Sequence, residues 1–302
     1  MARATLSAFV GFVTAAGLWN CVEAAPITFN TALPVAQGEL TLRELGLYRR
    51  ATDDPSTADR ELTVTGSGTV LGYGVTGDLA LFGLLPYLDK ELELDTPSGR
   101  VTRGTSGVGD LTVFARYTAV RRDRRARTFR IAPFAGIEAP TGDDDERDAL
   151  GRVPQPLQPG SGSWDAVGGV VATYFTPRFQ LDGQIAYQAN QEANDFELGD
   201  TVHIDAALQY RLLPRELGGG LPDFLYGVME INLVWRDENR IDGRADRDSG
   251  GTQVFVTPGL QYVSRRWVAE AAAQVPIVQD LNGDALEDDV IVRAGVRFNF
   301  GL

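Results

Sequence analysis

The feature of this sequence that most restricts its fold is an alternation of apolar and polar residues that lasts for whole segments of the chain. It is clearest at residues 179–189, 202–212 and 290–302. Because successive side chains of a β-strand point to opposite faces, this period of two predicts strands with one apolar and one polar face. Weaker versions occupy residues 110–117, 129–138, 225–236, 254–262 and 267–275.

Strand length separates a membrane barrel from a soluble sandwich. Soluble strands usually have about 5 to 6 residues, whereas a tilted strand needs about 9 to 11 residues to cross a bilayer. Less regular segments at residues 39–48, 61–73, 78–87 and 164–175 bring the total to about twelve, an even number. The sequence therefore predicts an all-β fold, a transmembrane antiparallel up-and-down β-barrel of about twelve strands.

The connections between these segments alternate in length and in charge. The long ones are residues 51–59, 92–105, 141–162, 191–199, 237–250 and 277–288, and the tight ones include 75–77, 121–125, 177–178 and 264–265. Acidic residues crowd the long loops and arginines the tight turns. Long outer loops and short periplasmic turns are typical of bacterial outer-membrane barrels, so both chain ends are expected on the periplasmic side.

The composition excludes several classes of function. One Cys and one His leave too few ligands for a zinc cluster, and a net charge of −13 argues against binding nucleic acid. An outer-membrane lipid hydrolase would have to use His203 as its base, yet Asp205 stands where such an enzyme would carry its serine nucleophile. We therefore predict a protein that is not an enzyme and needs no cofactor.

The first 24 residues form a separate unit. A basic start at Arg3, an apolar run too short to span a bilayer and the small residues around Ala24 predict a cleaved signal peptide. Leu18-Trp19-Asn20 before Cys21 leaves lipidation as an alternative. We predict a signal peptide at 1–24 and a barrel at 25–302, inserted by the barrel-assembly machinery into the outer membrane of a Gram-negative bacterium.

If the apolar face of each strand contacts lipid, the opposite face lines a lumen that carries both signs of charge. The lumen-lining candidates are Arg116, Arg130, Glu138, Asp182, Asp205, Glu230, Glu270, Arg293 and Arg297, with Asp110 beside them. Two explanations stay open: a structural ion-pair network and a solute pathway. In the last long loop, Asp280, Asn282 and Asp284 place oxygen ligands at alternate positions, which makes this loop a calcium candidate against a solvated turn.

Five short motifs occur in order along the chain: 78-DLAL-81 with 85-LPY-87, 106-SGVGDL-111, 139-APTGD-143, 160-GSGSWD-165 and 275-VP-276 before 279-QDLNG-283. In this order they resemble the outer-membrane family named for a MetA-pathway of phenol degradation. The resemblance implies a transporter-like, porin-like barrel for phenolic or other small aromatic compounds and supplies no catalytic residue. One departure is Leu302, where the outer-membrane assembly signal usually ends in Phe.

The resulting expectation is a passive or gated conduit for small, apolar or aromatic solutes, with outer-membrane lipid as its surroundings. The alternative is a structural or surface-interaction barrel that transports nothing.

Overall fold

The computed structural model describes residues 24–216 and 222–301, and its main feature is a closed barrel of twelve antiparallel strands. The strands are β1 (Glu39–Ala51), β2 (Glu61–Gly74), β3 (Leu79–Thr96), β4 (Gly99–Val108, continued by Leu111–Tyr117 and Val120–Arg124), β5 (Arg127–Ala139), β6 (Asp165–Phe175), β7 (Phe179–Ala189), β8 (Thr201–Leu213), β9 (Phe224–Arg236), β10 (Gly251–Val263), β11 (Trp267–Leu281) and β12 (Val290–Gly301).

Each strand pairs with its neighbours in sequence, and β12 closes the barrel by pairing with β1 from Glu39 opposite Gly301 to Arg50 opposite Val290. Closure leaves no sheet edge exposed to lipid, which is how strands can cross a bilayer with every backbone group paired. The predicted all-β barrel of twelve strands is confirmed. No helix in the described part of the chain is long and apolar enough to cross a membrane.

The period of two sorts the side chains between lipid and lumen. Leu181, Leu208 and Met229 lie side by side on β7, β8 and β9 and are exposed on the outside of the barrel. One residue further along, Gln180 and Gln209 lie side by side and are wholly buried inside. At these positions of β7, β8 and β9, apolar residues face outward and polar residues face the lumen.

Exposed aromatic residues mark the two borders of the apolar band, as in other transmembrane barrels. The inner girdle, near the tight turns, consists of Tyr73, Tyr117, Tyr210, Tyr262, Trp267 and Phe300. The outer girdle, near the long loops, consists of Tyr48, Tyr87, Trp164, Tyr187 and Trp235. The depth of any other residue on the outer wall can be judged from its position between these two girdles.

The long loops contain short elements of their own. Small strands occur at Arg147–Asp148, Gly151–Arg152, Phe196–Glu197, Asn239–Ile241 and Arg244–Asp246, and a 3-10 helix occurs at Gln155–Leu157. The loop predicted at residues 92–105 is wrong, because β3 and β4 continue past the girdle as a hairpin that turns at Pro97 and Ser98. Above the membrane the outward face no longer has to be apolar. In residues 91–95 the acids share the outward face of Tyr87 and the leucines point the other way, which reverses the pattern that identified the other strands.

The predicted signal peptide lies outside the described residues except for Ala24, so its cleavage stays a prediction, and Leu302 also lies outside them. Residues 25–38, predicted as part of the barrel unit, form no barrel strand. They run through the lumen, as described below.

The orientation of the barrel can be tested with two inserted epitope tags. Leu150 is 61% exposed at the tip of the longest outer loop, and Arg125 is exposed in the tight turn between β4 and β5. We expect antibody to reach a tag after Leu150 in intact cells and a tag after Arg125 only in permeabilised cells. Staining of the Arg125 tag alone in intact cells would reverse the orientation.

Candidate functional site in the barrel lumen

The lumen is crossed by residues 24–38, called here the N-terminal segment. Its first residues contact β10, since Ala25 N donates to Gln261 Oε1 at 3.2 Å. Further along, Thr28 N donates to Glu230 on β9 at 3.2 Å and Ala32 N donates to Thr173 on β6 at 2.8 Å. The segment thus spans the barrel from one wall to another before it joins β1.

Glu230 holds the first part of the segment. This carboxylate is wholly buried and accepts hydrogen bonds from Ile27 N at 2.6 Å, from Thr28 N at 3.2 Å and from the Thr28 hydroxyl. On the other side of the same peptide, the Arg43 guanidinium donates to the Ile27 carbonyl at 2.8 Å. An acid and a base of the barrel wall therefore satisfy the donors and the acceptor of one short stretch of backbone.

Glu270 connects this clamp to the neighbouring strands. It accepts a hydrogen bond from Arg43 Nε at 2.6 Å and one from Gln261 Nε2 at 2.7 Å. Gln261 Nε2 also donates to the carbonyl of Ala25 at 3.0 Å. The Arg43–Glu270 ion pair thus has further hydrogen bonds at both ends, from Gln261 to Glu270 and from Arg43 to the Ile27 carbonyl. These bonds offset the free-energy cost of burying the two charges.

A second clamp holds the middle of the segment. Thr31 Oγ1 donates to Asp182 Oδ1 at 3.0 Å, and Asp182 also accepts from the Thr173 hydroxyl and from Gln180 Nε2 at 2.7 Å. Ala32 is wholly buried against an apolar cluster that includes Phe134. The segment is thus held by polar contacts to its backbone and to the Thr28 and Thr31 hydroxyls, and by apolar contacts of Ile27 and Ala32.

The third clamp is Arg116, which donates to the Leu33 carbonyl at 2.7 Å. Its guanidinium lies 4.7 Å from the centre of the Phe82 ring. Phe82, Phe114 and Phe134 form a continuous aromatic wall on the inward face of β3, β4 and β5, with ring centres 4.9 Å and 6.0 Å apart. This aromatic wall lies directly beside the N-terminal segment.

The remaining predicted lumen residues also lie on the inward face. Asp205 accepts from Gln184 at 3.2 Å and from Asn232 at 2.9 Å, and Glu138 accepts from Thr112 at 3.0 Å. Arg130 pairs with Asp123 at 3.4 Å, Arg293 donates to Gln274, and Arg297 lies opposite Arg43 and Val268. Glu230 accepts from the N-terminal segment, and Glu270 pairs with Arg43. Whether these residues guide a solute stays a prediction.

Sequence reasoning missed the N-terminal segment and its partners Arg43, Thr173 and Gln261. The only signal in the sequence was negative: residues 25–38 do not alternate and contain Pro26 and Pro34, which do not suit a strand interior. Arg43 was not identified as a lumen residue because Glu44 follows it directly and interrupts the alternation of apolar and polar residues.

The outer end of the lumen is bordered by the loop of residues 140–164. Lys90 Nζ, above the outer girdle, donates to the carbonyls of Gln158 at 2.6 Å and Pro156 at 3.1 Å, and burial lowers the pKa of Lys90 to about 8. Asp110 accepts from Ser161 N at 2.6 Å and from Gly142 N at 2.9 Å. Asp110, predicted to face inward, therefore anchors both ends of this loop to β4.

Two other places were considered from the sequence, the rejected catalytic histidine and the calcium candidate in the last long loop. His203 lies opposite Ala186 and Val234 in the sheet, so neither direct neighbour offers a hydroxyl nucleophile. In the calcium candidate, Asn282 Nδ2 donates to the Ser249 carbonyl at 2.9 Å and Asp284 N donates to Asp248 Oδ1 at 3.1 Å. Within residues 24–216 and 222–301, no group of three or more His, Cys, Asp or Glu residues is arranged to hold a metal ion.

Replacing Glu230 tests whether this carboxylate fixes the segment. Glu230→Ala leaves the amides of Ile27 and Thr28 without their acceptor, at a cost of about 1 to 3 kcal/mol per buried donor. We expect hydrogen exchange of a peptide covering residues 25–36 to accelerate by about tenfold or more, since each 1.4 kcal/mol is a factor of ten. Glu138→Ala, also on the inward face but bonded to Thr112, is the control and should leave this exchange unchanged.

Comparison with known proteins agrees with this architecture. The COG4313 outer membrane channel from Pseudomonas putida F1 has a similar fold, with a TM-score of 0.64, 17% identity, and coverage of 92% of this chain and 100% of that chain. More distant are the β domain of the Bordetella autotransporter Brka (TM-score 0.45, 12% identity, 87% and 100% covered) and the translocator domain of NalP from Neisseria meningitidis (0.43, 11%, 88% and 89%).

A search of curated protein sequences gave no match. The family described as "Putative MetA-pathway of phenol degradation" matches residues 54–277, about three quarters of the chain and all five motifs apart from the end of the last. The resemblance found in the sequence is confirmed, and the chain belongs to this family of outer-membrane β-barrels.

Proposed function

We propose that this protein is an outer-membrane channel for small apolar or aromatic solutes, and that the N-terminal segment obstructs its lumen at rest. The observation that carries the proposal is the segment itself. A lumen that accommodates an extended polypeptide has room for a single aromatic ring once the segment moves aside. The segment carries no charged residue and is held to the wall by hydrogen bonds and apolar contacts alone, so it can leave the wall without breaking the barrel.

The chemistry of the wall favours aromatic solutes. Phe82 and Phe114 are stacked, and Phe134 is tilted by 59° against Phe114, so the three rings form an aromatic surface beside the N-terminal segment. Aromatic rings gain about 0.5 to 1.5 kcal/mol from such contacts beyond the area they bury. Ala32 covers this cluster at rest, so displacement of the segment would expose an apolar surface to an incoming ring.

The family description and the channel of similar fold support the same conclusion. The rival proposal is a structural barrel without transport. It is favoured by one observation, that Glu230, Glu270 and Asp182 already have partners inside the protein and need no solute.

A flux measurement separates the two proposals. Purified protein in liposomes is offered phenyl glucoside or methyl glucoside, two neutral solutes that differ only in the aromatic ring. A channel with an aromatic wall should admit the larger phenyl compound faster, whereas a plain aqueous pore should favour the smaller methyl compound. Phe82→Ala should remove the preference, and Phe298→Ala on the lipid-facing side of β12 should keep it. Entry of neither compound, with the unmodified protein and with a protein that lacks residues 25–36, would favour the structural barrel.

A further inference from the structure

A carboxylate lies on the lipid-facing side of the barrel. On β1, Arg43 points into the lumen toward Glu270 and Leu45 packs against Ile27 inside, so Glu44 between them points outward. It lies midway between Leu40, beside the inner girdle, and Tyr48 in the outer girdle. Acidic side chains inside the hydrocarbon region are costly, and they usually have a partner.

The surroundings of Glu44 are polar as well. Thr69 on β2 donates to Glu44 Oε2 at 2.6 Å, and Ser67 and Thr65 follow at alternate positions on the same outward face. On the far wall, the outward positions of β7, β8 and β9 are apolar and exposed: Leu181, Ile185, Ile204, Leu208, Met229 and Ile231. One side of the barrel thus offers hydrogen-bonding groups where the other offers only hydrocarbon.

The same wall contains a row of small side chains. Four neighbouring strands each contribute one small residue, and the four are paired directly with one another across the strands: Ala271 on β11, Ala294 on β12, Gly46 on β1 and Ser67 on β2. Small residues let two protein surfaces approach closely inside a membrane. We call these four residues together with Glu44 and Thr69 the polar face.

We propose that a second copy of this chain packs against the polar face within the outer membrane. Lipid tails cannot donate a hydrogen bond to Glu44, whereas a protein surface can. The polar face carries both an acceptor, the Glu44 carboxylate, and a hydroxyl donor, Ser67, so it is complementary to itself under a two-fold rotation. The Thr69 hydroxyl is already donated to Glu44 of its own chain. A lipid phosphate fits less well, because Glu44 would repel it and lies four residues below Tyr48. The proposal goes beyond solute passage and does not depend on it.

Disulfide cross-linking in native membranes tests the pairing. In a Cys21→Ser background no other cysteine exists, so Ser67→Cys and Ala294→Cys each place one thiol on the polar face. Ile204→Cys is the matched control on the far wall, where Ile204 is 47% exposed to lipid. Mild oxidation should produce cross-linked dimers from at least one polar-face position at a yield tenfold or more above the control. Equal, low yields from all three positions would overturn the proposal.

Glu44 itself is tested by the mass of the protein in lipid nanodiscs. We expect the unmodified protein to be a dimer, Glu44→Gln to remain one because an amide still forms hydrogen bonds, and Glu44→Leu to become a monomer. Heat-dependent mobility on gels confirms that each variant is folded. A monomeric unmodified protein, or a Glu44→Leu variant that stays dimeric, would contradict the proposal.

Discussion

Removal of residues 25–36 is expected to convert an obstructed barrel into an open one. A protein that begins at Gln37 keeps all twelve strands, because the segment forms none of them. It loses the contacts to Glu230, Thr173 and Arg116 that fill the lumen. In planar bilayers we expect single-channel conductance to rise on the order of tenfold, since the lumen of a twelve-stranded barrel lies between filled eight-stranded barrels and sixteen-stranded aqueous pores.

The control for this deletion keeps the length of the segment and changes its contents. Replacing residues 25–36 with a glycine and serine linker removes the side-chain contacts of Thr31 and Ala32 but leaves backbone groups for the clamps. The conductance of this linker variant should lie between that of the unmodified protein and that of the protein that begins at Gln37. If the shortened protein conducts no better than the full one, the outer loop of residues 140–164 would be the element that closes the lumen. The N-terminal segment would then stabilise the barrel without controlling its conductance.

The strands that could be predicted from the sequence are those whose two faces meet different surroundings. β7 was predicted at residues 179–189 and is found at Phe179–Ala189, because every second residue contacts lipid and the others contact the lumen. β3 was predicted to end near Tyr87 and continues to Thr96, because both faces of its outer arm contact water or other loops. Alternation in the sequence therefore indicates what the two faces of a strand contact, and it does not by itself show where the strand ends.

The sequence predicted which residues face the lumen but not which groups they bind. The alternation of apolar and polar residues placed Glu230 and Glu270 inside, yet it could not show that Glu230 binds the backbone amides of Ile27 and Thr28. Backbone amides are the same for every residue type except proline, so such contacts leave no trace in the sequence of the segment. The polar face was missed for the opposite reason, since Glu44 made β1 look irregular although the strand itself is regular.

The lipid-facing wall gives the second large effect. Leu208 and Leu212 lie on the same face of β8, and both are 40% exposed. Leu208 is inside the apolar band, whereas Leu212 lies beyond Tyr210 in the inner girdle. An arginine on the lipid face costs about 2 to 4 kcal/mol at the bilayer midplane and about 0 to 1 near the interfaces. Leu208→Arg should therefore reduce the free energy of unfolding by about 2 kcal/mol, and Leu212→Arg by no more than about 1.

Chemical unfolding from phosphatidylcholine vesicles, followed by tryptophan fluorescence, measures both variants against the unmodified protein. The substitution, the strand and the exposed fraction are the same in both, but Leu212 also lies at a register shift between Arg211 and Leu213. The part of the difference that depends on the vesicle bilayer therefore reports depth in the membrane. In detergent micelles, which have no fixed thickness, the difference should shrink. Equal losses in vesicles would mean that the girdle at Tyr210 does not mark the edge of the hydrocarbon, and Glu44 would then no longer be placed at mid-depth, because its depth is measured from the same girdle.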